Sequence, residues 1–356
     1  CNMRIVNLVQ NSQMMAVRLS NRILSFIALL FCMAFLPSFT TFSPLLSFPS
    51  VALYPGMNLY ISSASNYYTP EFSQKTDSVI IPLKRVGRLF LIEAKVDGEA
   101  GNLVFDTGAN GLVLNSTYFR EHVKSGGVVS SGITGSVGIV EQITVGQLEF
   151  AELRYSNLTA DVANLGHIEN RRGVKIIGLI GFSLLRSLEV VIDARRSVLK
   201  LYKIDKAGRR VNSGSKSFVP EFSQKIEGNG NILFVKGAVG GKLLNFCIDT
   251  GAETNAISAD LNKKVMSTIV ITRRASLKGA GAAGSEVLFG RMSDFVIGSR
   301  KISEMETVIT NLDGLSEAYG THIDGLLGSG FLESGVLCVN FLSGQFGMRF
   351  TKGEKQ

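Results

Sequence analysis

Tryptophan is absent and proline is scarce, 7 in 356 residues, which excludes a proline-rich or collagen-like chain despite 38 glycines. There are 4 cysteines, and two of them, Cys1 and Cys32, fall within a leader-like segment and would go with it. Only Cys247 and Cys338 would then remain, both inside apolar strand-like runs, so no disulfide framework is expected and buried thiols are. The 3 histidines, His122, His167 and His322, are isolated, without the spacing of a metal site, so no metal and no cofactor are expected. A G-x-S-x-G elbow is missing, which leaves a serine hydrolase without support. The net charge of +8 falls to about +5 once Arg4, Arg18 and Arg22 are set aside with the leader. Its basic residues are scattered pairs, Arg171-Arg172, Arg195-Arg196, Arg209-Arg210 and Arg273-Arg274, without interleaved aromatics, so a nucleic-acid partner is not expected.

What is present is a hydrophobic content of 45% with 22 phenylalanines, enough for a packed core in a turn-rich, largely β protein. Residues 23–36 form an apolar run of 14 behind Arg18 and Arg22, the pattern of a secretory signal, and short of the roughly 20 residues of a membrane span. Export to a periplasmic or extracellular compartment is therefore expected, with retention of residues 23–36 as a membrane anchor the alternative. Residues 1–13, ahead of Met14 and Met15, are left out of the fold argument.

The chain repeats itself. Residues 89–109 align with 232–252 at an offset of 143, and residues 178–193 with 325–340 at an offset of 147. The hexapeptide Pro-Glu-Phe-Ser-Gln-Lys at 70–75 also returns, at 220–225. The expected organisation is a leader at 1–36, an N-terminal linker at 37–77, one lobe at 78–202, an interlobe linker at 203–225 and a second lobe at 226–352. Each copy predicts a strand pair turning at Asp97-Gly98 or Gly240-Gly241 and a strand ending in Asp-Thr-Gly-Ala. A short strand follows, with a helix-compatible turn over 116–122 or 258–265. A Gly-rich segment comes next, then a hydrophobic strand, a turn at Gly178–Gly181 or Gly325–Gly328, a short helix and a final strand pair.

The chemistry sits in the repeated tetrapeptide, Asp106-Thr107-Gly108-Ala109 and Asp249-Thr250-Gly251-Ala252. Each aspartate ends an apolar run, which buries it, and a buried carboxylate needs a partner. Two lobes related by a pseudo-two-fold axis bring equivalent positions together, so Asp106 would face Asp249. Adjacent carboxyls share one proton and become one acid and one base. A water between them is then activated for amide hydrolysis. Gly108 and Gly251 permit a tight turn whose amides donate to the carboxylates, and Thr107 and Thr250 can bond across the interface.

These motifs, with the downstream Ile176-Ile177-Gly178 and Ile323-Asp324-Gly325 elements, resemble retropepsin-like aspartic proteases of the pepsin/retropepsin superfamily over roughly residues 78–350. The resemblance implies an all-β fold with short helices, in which two retropepsin-like β-barrel lobes form an intramolecular pseudo-dimer. It implies that Asp106 and Asp249 are the catalytic pair, that the threonines lock the lobes together, and that a flap closes over a peptide or protein substrate. Ala109 and Ala252 are closer to the retroviral branch, while two lobes in one chain are closer to the pepsins. The Gly-rich segments supply flap candidates, Gly132, Gly135 and Gly138 in one lobe and Gly279, Gly281 and Gly284 in the other. The second segment also matches G-x-G-x-x-G, but strands rather than a helix are predicted after it, against a dinucleotide site. No flap tyrosine is present. Asp324, where the family has an aliphatic residue, is either a third carboxylate near the pair or a turn residue. Asn115 and Asn157 match glycosylation acceptors. A noncatalytic peptide-binding module on the same fold, and lobes pairing between chains, are the competing readings.

Overall fold

The computed structural model describes residues 68–73, 76–109, 111–120, 127–132, 135–212, 217–227, 232–278 and 284–351. The leader, most of the N-terminal linker, Gly279 and Gly281 lie outside them. Alternating apolar residues build two nine-stranded sheets, one per lobe, and a six-stranded sheet between them. This is the bilobal acid-protease fold. In each lobe the hairpin turns where expected, with positive φ at both central residues: Asp97 at 46° and Gly98 at 94°, Gly240 at 56° and Gly241 at 71°. That is the twist a two-residue hairpin loop demands.

The six-stranded sheet takes three strands from each half of the chain, one of them from the expected interlobe linker, in the order Phe222–Lys225, Gln345–Phe350, Gly335–Asn340, Leu188–Asp193, Val198–Lys203, Ser78–Pro82. At its centre Val191 pairs with Cys338, its own counterpart at the offset of 147, while Val190 pairs with Val339 and Ile192 with Leu337. The pseudo-two-fold axis passes through that pair. Phenylalanines close the core across the boundary: Phe341 of the second lobe stacks edge-on against Phe182 of the first at 5.2 Å, and Phe182 against Phe105 at 6.3 Å. The fully buried rings, Phe105 and Phe182, each contribute on the order of 2–3 kcal/mol, and Phe341 is partly buried against them. Cys247 and Cys338 are free and buried, as expected.

Several expectations are corrected. The repeated hexapeptide does not mark equivalent places. Phe222–Lys225 pairs with Gln345–Phe350 on the interlobe sheet, whereas Glu71–Phe72 pairs with Leu153 and Arg154 inside the first lobe. By register, the counterpart of Phe222 is Val79, on the strand that pairs with Val198–Lys203. The stretches Gly178–Ile180 and Gly325–Leu327 are strand, not turn. Only the glycines that follow them, Gly181 and Gly328, leave the strand. A Cβ on either would stand 2.1 Å or 2.5 Å from the carbonyl oxygen of Ala109 or Ala252, so the second glycine exists to let the Asp-Thr-Gly-Ala loop come close. Residues 116–118 are a turn, and the second lobe's helix in this region is confined to Lys263–Met266. Asn115 is fully buried, its amide donating to the Ile176 carbonyl at 2.9 Å, so only Asn157 of the two acceptor sites is exposed.

Two helices were not foreseen, Gly166–Arg172 and Asp313–Tyr319. Each ends on a left-handed glycine, Gly173 at φ 64° and Gly320 at φ 63°. Their last residues, Arg172 and Tyr319, are counterparts at the offset of 147.

Candidate active site

Asp106 follows the strand Glu99–Phe105, and Asp249 follows Lys242–Ile248. Each strand runs parallel to the hydrophobic strand of its own lobe, which holds the aspartate backbone: Asp106 N–H donates to Ile180 O and Asp249 N–H to Leu327 O, both at 3.0 Å. Each loop then wraps its own carboxylate. Asp106 Oδ1 accepts from Gly108 N at 2.9 Å and Ala109 N at 3.2 Å, and Asp249 Oδ1 from Gly251 N at 2.8 Å and Ala252 N at 3.1 Å. The Gly108 and Gly251 amides donate as the sequence suggested, and the Ala109 and Ala252 amides join them.

The threonines bind the loops to each other. Thr107 Oγ1 donates to Ile248 O at 2.9 Å and accepts from Thr250 N at 2.9 Å. Thr250 Oγ1 donates to Phe105 O at 2.7 Å and accepts from Thr107 N at 2.9 Å. Both threonines are wholly buried, so these bonds are made out of reach of water. The two carboxyl groups, each 1% exposed, consequently face each other closely enough to hydrogen-bond. A Cβ on Gly251 would lie 2.6 Å from Asp106 Cγ, so this position must be glycine for the pair to meet.

Burial pushes both carboxyls above the ordinary carboxylate range. Asp249 rises to about 6. Asp106 is raised well above its usual value, first by burial and then by the Asp249 charge. The backbone donors oppose the shift without cancelling it. Two such groups side by side hold one proton between them near neutral pH, because both charges at once are disfavoured.

Antiparallel hairpins extend from each lobe at the Gly-rich segments. Gly132 pairs with Gly135, and Gly138 pairs with Ser130, between the strands Gly127–Gly132 and Gly135–Phe150. Gly284 pairs with Lys278 in the hairpin of Ile269–Lys278 and Gly284–Met292. A strand thus follows the G-x-G-x-x-G match, as the sequence predicted. Helix Asp313–Tyr319 of the second lobe lies against Gly127–Gly132 of the first. Asp324 accepts from Asn245 N, on the strand Lys242–Ile248, at 2.7 Å and bonds to His322 at 3.0 Å. It is buried in extended chain just ahead of Gly325–Leu327, not in a turn that faces solvent. Among the described residues no group of His, Cys, Asp and Glu could hold a metal ion.

The interface holds residues the motifs did not single out. The Tyr319 hydroxyl donates to Gly108 O at 2.9 Å. Arg172 pairs with the Glu253 carboxylate, both largely buried. Arg88 reaches Glu306 at 2.7 Å, and Arg85 reaches Glu333 at 2.5 Å, in more exposed positions. The signal available in sequence was the offset that aligns Gly173 with Gly320 and therefore their preceding residues.

Fold and site together define a two-lobed acid protease. A sequence profile of the aspartyl protease family matches twice, at residues 92–184 and 235–331, once in each lobe and over more than half of the chain. The chain belongs to that family. No curated protein matches it. Among solved structures, an aspartic proteinase from Irpex lacteus is similar, 14% identical, with a TM-score of 0.48 over 77% of this chain and 97% of that one.

Proposed function

We propose that the chain is an aspartic endopeptidase that hydrolyses peptide bonds with Asp106 and Asp249 as its acid–base pair. The observation that carries this reading is the meeting of two buried carboxyls, one from each lobe, close enough to share a proton. In aspartic proteases generally, like charges this close keep one member protonated. The ionised carboxylate takes a proton from a water molecule as its oxygen attacks the substrate carbonyl carbon. The protonated carboxyl gives its proton to the carbonyl oxygen, so a neutral gem-diol forms. Return of one proton to the amide nitrogen and loss of the other from a diol hydroxyl break the C–N bond and restore the pair. No covalent enzyme intermediate is needed. The leader-like run supports an exported enzyme acting on peptides outside the cytoplasm.

The test is hydrolysis of a diverse peptide library by the full chain, D106N and D249N, with thermal melts as a fold control. Each substitution should lower the rate by at least about a hundredfold while the fold persists. Retained activity in either folded variant rejects the shared pair, and peptide binding without cleavage by the unaltered chain would favour a noncatalytic module instead.

A further inference from the structure

The two aspartates have the same local loop, yet the residues that reach each loop from the opposite lobe differ. Arg172 and Tyr319 occupy equivalent helix ends and both cross the interface. Arg172 brings a permanent charge to the Glu253 carboxylate, just beyond the second loop. Tyr319 brings a neutral phenol, 3% exposed, to the carbonyl of Gly108, inside the first loop.

That carbonyl belongs to the peptide unit whose N–H is Ala109's. The same N–H is directed at Asp106, 3.2 Å from Oδ1 and 3.1 Å from the backbone oxygen. A donor on an amide oxygen polarises the amide and strengthens its N–H as a donor. The hydroxyl of one lobe therefore acts on the carboxyl of the other through a single peptide bond. We propose that Tyr319 is a positioning residue for Asp106, which favours its ionised form through the Gly108–Ala109 peptide and so readies that carboxyl to give up its proton. This rests on the acid–base reading above.

The groups facing Asp106 are Asp249 and Cys247 from the second lobe's strand and Tyr319 from its helix. Phe234 closes the ring side of Tyr319, 6.2 Å away and edge-on. Burial pushes the Cys247 thiol and the Tyr319 phenol upward, so both stay neutral while the aspartates titrate. A movement of the basic limb of the pH–rate profile consequently reports on Asp106, the aspartate that holds the shared proton.

The experiment compares pH profiles of kcat and KM for the full chain and Y319F on a quenched fluorescent peptide. With the relay lost, the ionised form of Asp106 is less supported. The basic limb, set by loss of the Asp106 proton, should rise by about half a pH unit, and kcat should fall roughly three- to tenfold with KM unchanged. Incorporating 3-fluorotyrosine at 319, a stronger donor, should move the limb the other way. A basic limb unchanged in folded Y319F overturns the proposal. If Y319F does not fold, the fluorotyrosine protein decides, and an unmoved limb there overturns it equally. D106N and D249N separate the two ideas. Activity in either sinks the acid–base pair itself, whereas two inactive variants with an unmoved limb sink only the part given to Tyr319.

Discussion

Thr107 and Thr250 make the same bonds in mirror fashion, with donor distances of 2.9 Å and 2.7 Å to the opposite lobe's carbonyl and 2.9 Å for both returning amides. One step further from the axis, Arg172 and Tyr319 start from matching helix ends and finish on a carboxylate and a carbonyl. The symmetric contacts are those that fix where two carboxyls meet, and they run through backbone groups and short hydroxyls that leave little room for alternatives. The asymmetric contacts come from long side chains whose reach allows different partners. Geometry needed by both halves is duplicated, and chemistry that must differ between the halves enters from outside the duplicated loops.

The strongest way to break this contrast is at the threonines. T107V and T250V each leave a buried N–H and a buried carbonyl without a partner, so each should cost about 2–4 kcal/mol in denaturant unfolding. The two costs should be equal, and a difference well above 1 kcal/mol would show that the inner contacts are not equivalent after all. Titration of the carboxyls comes next. Because folding raises the Asp249 pKa from 3.8 to about 6, the folded chain binds more protons than the unfolded one between these values. The stability from this group is therefore full below about pH 4 and is lost as pH rises through about 6. D249N should flatten that loss and gain up to about 3 kcal/mol over the unaltered chain at pH 7. A melting temperature with the same pH slope in both proteins would contradict it. The smallest effects lie in the ion pairs. A double-mutant cycle with R172M and E253Q should give a coupling of about 1–3 kcal/mol, because these side chains are 12% and 16% exposed. The same cycle with R88A and E306A should give less than about 1 kcal/mol and vanish in salt, since those side chains are 45% and 64% exposed. Equal couplings would remove the distinction between deep and shallow crossings.

Much of this was legible before any coordinates. Asp106 and Asp249 could be paired because identical tetrapeptides close apolar strands at one offset, and the hairpin turns could be placed because Asp-Gly and Gly-Gly tolerate positive φ. The helices Gly166–Arg172 and Asp313–Tyr319 were not legible. Each is only seven residues long, and the first buries little beyond Ile168, so no sustained apolar stripe announces it. Nor was the Tyr319 bond, which joins residues 211 apart. The repeated hexapeptide misled for a different reason. Its copies are 150 apart where the surrounding lobe is offset by 143, so identity of sequence and identity of place came apart by one short shift. Asn115 matched a surface pattern, but the helix Gly166–Arg172 and the residue before it pack over the side chain, whose oxygen accepts from the Leu165 amide and whose nitrogen donates to Glu169.

The pairing of Val191 with Cys338 carries a consequence for how the two halves can diverge. Elsewhere a side chain in one half may grow or shrink against its own surroundings without reference to its twin. At this seam the twins are neighbours, so any volume added to one is felt at once by the other, and the two halves must change there together or not at all.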